Sequence, residues 1–113
     1  MQYNRPWGYY INLYENEYSN YKVKKIYVNP MSRLSLQSHS KRQEHWVIVK
    51  GSGLVFLDDK YINVHEGDYI YIETGIKHRI ENNTDLELIF VETQIGSYLE
   101  EDDIIRYEDD YGR

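Results

Sequence analysis

The chain has 113 residues, a formal net charge of −6, thirteen tyrosines and no cysteine. Its length suits one hydrophobic core rather than two ordinary domains, and the lack of cysteine excludes disulfides, thiolate metal sites and cysteine nucleophiles. Seven of the nineteen acidic residues lie between Glu100 and Asp110, so residues 1–99 are nearly neutral. This charge distribution argues against a nucleic-acid-binding surface.

No apolar run reaches the roughly 20 residues that a membrane-spanning helix needs, and the N-terminal residues contain no hydrophobic signal core. We therefore expect a soluble, cytoplasmic protein with no membrane partner. The excess of tyrosine over phenylalanine favours strands with half-buried aromatic rings.

Short alternating segments separated by turn residues predict strands along most of the chain. The predicted strands cover residues 9–14, 21–28, 33–39, 45–49, 54–57, 61–64, 69–72, 77–81 and 86–93. A strand every eight to twelve residues, with no clear helix before residue 96, is typical of an all-β antiparallel sandwich or barrel. We expect a single domain over residues 1–113, with a barrel over about residues 21–95. An N-terminal strand (5–14) and a C-terminal tail (96–113), which can hold one short helix, pack on it.

Four polar residues in two glycine-punctuated segments are candidates for a metal site. Gln37 and His39 are two apart on a predicted strand, so their side chains leave the same face. Glu44 follows on the next predicted strand, and His78 lies in a second segment. The residues leave two alternatives open: Gln37 can instead hydrogen-bond a barrel carbonyl, and His45 can replace Glu44.

The order and spacing of these residues resemble the two motifs of the cupin family, small double-stranded β-helix (jelly-roll) barrels. The distance from Glu44 to Gly51 fits the first motif and favours Glu44 over His45, while Gly67, Gly75 and His78 fit the second. The resemblance implies one metal ion held by Gln37, His39, Glu44 and His78, with Gln37 at a position where cupins usually have histidine. This donor set suits a divalent transition metal, Zn²⁺ first, with Mn²⁺, Co²⁺, Fe²⁺ or Ni²⁺ as alternatives.

A narrower resemblance extends over nearly the whole chain. The segments RPWG at Arg5, RLSLQSH at Arg33, EHWVIVKG at Glu44, GIKHRIEN at Gly75 and GSYLEEDDIIRYEDDYGR at Gly96 are similar to the isomerase domain of type II phosphomannose isomerases. In that family the domain usually follows a mannose-1-phosphate guanylyltransferase domain. The resemblance implies a free-standing mannose-6-phosphate isomerase that interconverts mannose 6-phosphate and fructose 6-phosphate through a cis-enediol.

The chain departs from that family directly after His39. Ser40 and Lys41 stand where the family commonly has two further histidines. This departure favours one alternative function, a non-catalytic cupin that binds a metal or a sugar. A second alternative is a cupin that acts on a nucleotide-sugar, for which the tail sequence is not expected.

Aldose–ketose isomerisation requires a cation or donor at the C1 and C2 oxygens, a base, and cationic groups for the phosphate. Arg42 and Arg106 are the leading candidates for the phosphate, followed by Lys24. His45 is the candidate for proton transfer, although it can equally cap an apolar strand. Arg106 is the one tail residue with an expected role at the site, the tail acids being assigned to solvation and helix capping. We also expect a homodimer, because small barrels with exposed strands tend to pair.

Overall fold

The computed structural model describes residues 1–112, so Arg113, the last residue of the predicted domain, lies outside the described residues. The described residues form twelve β-strands and no helix. The strands are β1 Gln2–Arg5, β2 Gly8–Tyr14, β3 Tyr21–Val28, β4 Ser32–Arg33, β5 Leu36–Ser38, β6 Arg42–Lys50, β7 Ser52–Leu57, β8 Lys60–His65, β9 Tyr69–Ile72, β10 His78–Asn82, β11 Leu88–Gly96 and β12 Ile105–Glu108.

Two antiparallel sheets carry these strands. The first has the order β1-β2-β3-β11-β6-β9, and the second has the order β12-β5-β10-β7-β8, with β4 also paired to β10. The inward side chains of the two sheets form one apolar core in the interior. Its buried members are Trp7, Tyr10, Ile26, Val28, Trp46, Ile48, Val55, Val64, Ile70, Ile72, Ile80, Leu88 and Phe90.

Three neighbouring strands of the first sheet divide the interior into an apolar end and a polar end. On β6, β11 and β3, alternate residues face inward, and the inward residues change from apolar to polar along each strand. The register aligns these changes on β11 and β3, where Glu92 pairs with Lys24, and offsets the change on β6 by one inward residue, because Glu92 pairs there with Trp46. The buried polar residues of the three strands are Lys22 and Lys24 on β3, Arg42 and Glu44 on β6, and Glu92 and Gln94 on β11.

Two glycines of the motif segments meet a backbone requirement that other residues satisfy poorly. Gly51 and Gly75 have φ angles of 84° and 85°, in the left-handed region that disfavours a Cβ atom. At Gly51 an added Cβ would also collide with the carbonyl oxygen of Glu87. Gly51 therefore permits the tight turn from β6 into β7.

Three predicted elements differ from the structure. The predicted strand 33–39 is two short strands, β4 and β5, because Leu34 leaves the ladder and donates its backbone N–H to Ile80 O at 3.1 Å. The N-terminal strand 5–14 is the hairpin β1–β2. The tail forms strand β12 instead of a helix, because it pairs with β5 and so obtains its backbone hydrogen bonds from a sheet.

None of the elements in residues 1–112 is a helix of the length and apolar character needed to cross a membrane.

Candidate metal centre

Three predicted ligands lie together at the polar end of the barrel interior. Glu44 faces inward from β6, His78 begins β10, and His39 follows the last residue of β5. All three are buried, and one ligand atom from each lies within 4.8 Å of the others. Glu44 Oε2 is 3.2 Å from His39 Nε2, and Glu44 Oε1 is 3.7 Å from His78 Nε2.

Hydrogen bonds fix the form of both imidazoles. His39 Nδ1 lies 2.6 Å from Asp103 O, and His78 Nδ1 lies 2.9 Å from Ile76 O. A carbonyl oxygen can only accept, so each Nδ1 carries the proton. Burial lowers the pKa of both histidines to about 4, with the Arg42 charge adding to the effect at His39. Both rings are therefore neutral near pH 7 and present an Nε2 lone pair to the cavity.

Gln37 lines the same cavity from β5, opposite His78 in the strand register. Its amide nitrogen donates to Ser35 O at 3.3 Å and Ser35 Oγ at 3.1 Å. These bonds use the nitrogen and leave the amide oxygen as the atom available to a cation. The donors then comprise two neutral nitrogens, one carboxylate and one amide oxygen, a set that suits a divalent transition metal.

Arg42 contacts the atoms that a metal ion would use. Its Nε and Nη2 lie 2.9 Å and 2.8 Å from Glu44 Oε2, and Nη2 lies 3.3 Å from His39 Nε2. Its Nη1 is buried without a hydrogen-bond partner among the described residues. A buried donor without a partner is costly, so Nη1 is suited to an oxygen of a bound ligand.

Glu92 and Trp46 hold Glu44 from the core side. The Trp46 indole N–H lies 3.1 Å from Glu44 Oε1 and 3.0 Å from Glu92 Oε1. Gln94 donates from its amide to Glu92 Oε2 at 2.8 Å. Burial raises the pKa of Glu92 to about 7, and the negative charge of Glu44 is the second largest cause. Glu44 is therefore fixed by two neighbouring residues of the sheet.

The tail contributes two acidic residues that the sequence analysis assigned only to solvation and capping. The Asp103 carboxylate accepts hydrogen bonds from Ser40 N at 3.0 Å, Ser40 Oγ at 2.9 Å and Lys41 N at 3.0 Å. Glu101 lines the cavity and accepts from Lys24 Nζ at 2.7 Å. The tail thus holds the loop that carries His39 and supplies a carboxylate to the cavity.

Comparison with known proteins places this arrangement in a family. The family model described as mannose-6-phosphate isomerase C-terminal matches residues 1–109. The chain belongs to this family. It is similar to the xanthan biosynthesis protein XanB of Xanthomonas campestris pv. campestris, with 44% identity over 96% of this chain and 23% of that protein. It is also similar to the mannose-1-phosphate guanylyltransferase ManC of Salmonella typhimurium, with 44% identity over 96% of this chain and 22% of that protein.

The chain spans less than a quarter of the length of these curated relatives. Among solved structures, it is similar to a cupin 2 conserved barrel domain protein from Salinispora arenicola, with a TM-score of 0.68 and 20% identity over 78% of this chain and 75% of that chain. The all-β antiparallel cupin barrel predicted from the sequence is confirmed, and so is the resemblance to the isomerase domain.

Ser40 and Lys41, where the resemblance leads us to expect histidines, lie outside the cavity. Neither residue lines it. Ser40 is bound to Asp103, and Lys41 Nζ lies 4.8 Å from the centre of the Tyr98 ring. The two residues fasten the ligand loop to the tail, and the substitutions remove none of the four predicted donors.

The residues predicted for catalysis separate into those that line the cavity and one that does not. Lys24, Arg42 and Arg106 line it. His45 lies on the outer face of β6, because neighbouring strand residues point to opposite faces and Glu44 points inward. There its ring nitrogens contact Tyr69 Oη at 2.5 Å and Gln43 Oε1 at 2.7 Å. The structure therefore does not bring His45 to the site.

Proposed function

We propose that the chain is a metal-dependent mannose-6-phosphate isomerase that interconverts mannose 6-phosphate and fructose 6-phosphate. The observation that carries this proposal is the buried cluster of His39, Glu44 and His78 in a member of the mannose-6-phosphate isomerase C-terminal family. The cavity has a volume of about 120 Å³ and opens to solvent.

The proposed ligands of one divalent ion, Zn²⁺ first, are Gln37, His39, Glu44 and His78. The two Nε2 lone pairs and the Glu44 carboxylate fit such an ion without a change of protonation near pH 7. When bound, the ion would supply Lewis acidity at the C1 and C2 oxygens of the open-chain sugar. Arg42 Nη1, which has no hydrogen-bond partner among the described residues and lies 4.0 Å from Glu101 Oε2, would donate to a sugar oxygen beside it.

In the reaction, a proton moves from C2 of the aldose to C1 of the ketose, and a hydroxyl proton moves from O2 to O1 through the cis-enediol. The base must line the cavity, which His45 does not. Glu92 and Glu101 are the cavity-lining carboxylates, among the described residues, that are not proposed ligands. We assign the carbon-bound proton to one of these two. Separate Glu92→Gln and Glu101→Gln variants identify it by loss of proton exchange.

One experiment tests the reaction directly. The purified, zinc-loaded chain is incubated with mannose 6-phosphate in deuterated water, and proton NMR follows the C2 position. We expect exchange of the C2 proton and formation of fructose 6-phosphate. Absence of both, with zinc bound at one ion per chain, would contradict isomerase activity and favour a non-catalytic cupin.

The ligand set has its own test. A His39→Ala/His78→Ala double variant should lose tightly bound zinc, measured by inductively coupled plasma mass spectrometry after gel filtration. His65→Ala is a suitable control, because His65 is exposed and bound to Asp68 instead of lining the cavity. Stoichiometric zinc in the double variant would mean that the ion binds elsewhere. A homodimer remains a prediction, and sedimentation equilibrium measures it.

A further inference from the structure

Among residues 1–112, five cationic side chains line the cavity. They differ in whether an acidic residue already balances their charge. The five are Arg5, Lys24, Arg42, Arg79 and Arg106. A phosphate dianion binds best to guanidinium groups whose charge and N–H donors are not already used by carboxylates. The acidic partner of each cation therefore indicates which of them can receive a phosphate.

Three of the five are buried and paired with carboxylates. Lys24 Nζ lies 2.7 Å from Glu101 Oε1 and 4.1 Å from the centre of the Tyr10 ring. Arg42 is bound to Glu44. Arg79 donates to Leu34 O at 2.8 Å and lies 3.3 Å from Glu108 Oε2. Recruiting Arg42 to a phosphate would break a buried ion pair, which is strongly unfavourable. Recruiting Lys24 or Arg79 would compete with the carboxylate that each already binds.

The other two, Arg5 and Arg106, are exposed and have no carboxylate within salt-bridge distance among residues 1–112. Arg5 donates only to neutral oxygens, those of Asn4 O at 2.8 Å and Tyr10 Oη at 3.4 Å. The Arg106 side chain makes no hydrogen bond to any residue in that range. Both guanidinium groups therefore retain donors for an anion that enters from solvent.

Strand pairing brings these two arginines to the cavity from different parts of the chain. Arg5 ends β1, next to the turn that leads to the buried Trp7. Arg106 lies on β12, opposite Gln37 in the register with β5. One arginine thus comes from the first sheet and one from the second, and both are exposed where the cavity meets solvent.

We propose that Arg5 and Arg106 form the binding site for the phosphate group of the substrate, at the mouth of the cavity. This inference rests on the proposed function and assigns the phosphate differently from the sequence analysis. It adds Arg5 and leaves Lys24 and Arg42 to the carboxylates of the interior. The sugar then extends inward from the phosphate toward Arg42 and the proposed ligands.

The experiment uses inorganic phosphate as the probe and isothermal titration calorimetry at low ionic strength, where exposed charges are least screened. The proteins compared are the 113-residue chain and its Arg5→Gln, Arg106→Gln and Arg33→Gln variants. Arg33 is the matched control, because it is half-exposed, bound to Asp110 and outside the cavity. We expect each cavity variant to weaken phosphate binding about tenfold, since a hydrogen bond to a charged group is worth at least that factor. Arg33→Gln should bind as the parent does.

Unchanged phosphate affinity in both cavity variants, or no measurable affinity in the parent, would overturn the proposed subsite. Zinc content measured on the same samples should be unchanged in both variants, because neither arginine side chain hydrogen-bonds a proposed ligand, and the backbone pairing of Arg106 with Gln37 is retained in the glutamine variant. The outcome is separable from that of the proposed function. Phosphate binding that depends on Arg5 and Arg106 without C2-proton exchange would refute the isomerase and keep the subsite. Exchange of the C2 proton, together with phosphate binding that depends on neither arginine, would support the isomerase and refute the subsite.

Discussion

At the scale of single residues, the guanidinium of Arg42 is in direct contact with two of the proposed metal ligands. It bonds Glu44 and His39 while Glu92 lies in the same buried region. Removing one member of a buried ion pair leaves an uncompensated charge. Arg42 therefore stabilises the carboxylates, and it also competes with a cation for the same atoms.

This competition predicts that Arg42→Met destabilises the metal-free protein more than it destabilises the zinc-loaded protein. Without metal, the variant should lose roughly 3 kcal/mol of unfolding free energy, the cost typical of breaking a buried pair. Zinc should restore more stability to the variant than to the parent, because the ion replaces the lost positive charge. Urea denaturation with chelator and with zinc measures both. Arg33→Met, which breaks an exposed pair, should cost less than about 1 kcal/mol.

At the scale of elements, the C-terminal tail is part of the site. Residues 99–103 contact the cavity region through Lys22, Lys24 and the loop after His39, and β12 extends the second sheet. Asp103 connects these roles, because its backbone carbonyl orients His39 and its carboxylate holds the N–H groups of Ser40 and Lys41. Mutation of groups that orient a metal ligand in this way typically lowers metal affinity by tenfold to a hundredfold.

We therefore expect Asp103→Ala to weaken zinc binding by about tenfold or more and to lower the unfolding free energy by about 2 kcal/mol through its lost charge-assisted hydrogen bonds. Asp102→Ala is the control, because the neighbouring Asp102 is exposed and, within the described part of the chain, its side chain bonds only Tyr98 Oη. Competition with a chromogenic chelator measures the zinc affinity. Long-range ¹H–¹⁵N spectra report the His39 tautomer. If Asp103 positions His39, the variant should lose its preference for the Nδ1–H form, whereas a purely structural loss would leave the tautomer as in the parent. Equal zinc affinity in the two variants would contradict a positioning role.

Local sequence patterns predicted the features that depend on residues close together in the chain, namely strands and turns. The alternation along β6 and β11 and the glycine turns predicted most strands. The same alternation places His45 on the face opposite Glu44, so its position could have been read from the sequence. Asp103 could not, because its contact with Ser40 joins residues 63 positions apart. Nor could the β5–β12 pairing, since the acidic run before Ile104 is equally compatible with a helix end.

At the scale of the whole molecule, the barrel combines an apolar core with a buried, charged end. The two histidines and Glu92 face one another there from the β5–β6 connection, β10 and β11. The neighbouring charged groups are Lys24, Arg42, Glu44 and Glu101. Burial shifts the pKa of the two histidines and of Glu92 in opposite directions, to about 4 and about 7. The stability of the metal-free protein should therefore depend on pH in a way that this end controls.

The sign follows from comparing the folded and unfolded pKa of each group. His39 and His78 fall from 6.5 to about 4 on folding, so their contribution is complete above pH 6.5 and is lost as the pH falls toward 4. Glu92 rises from 4.5 to about 7, so its contribution is present below pH 4.5 and is lost as the pH rises toward 7. Each shift corresponds to about 3 kcal/mol. The two histidines destabilise the protein as the pH falls, and the one carboxyl stabilises it. The unfolding free energy should therefore fall by a net amount on the order of 3 kcal/mol between pH 7 and pH 4.

Urea denaturation of the metal-free protein at several pH values between 4 and 7 tests this sum. The unfolding free energy should fall with decreasing pH, and it should fall more steeply in Glu92→Gln, which removes the opposing group and retains the two histidines. The comparison of slopes matters more than the absolute stability of the variant, because an amide at position 92 also changes the bonds to Trp46 and Gln94. A stability that stays constant from pH 7 to pH 4, or an equal slope in parent and variant, would show that these buried groups do not set the pH dependence of the barrel.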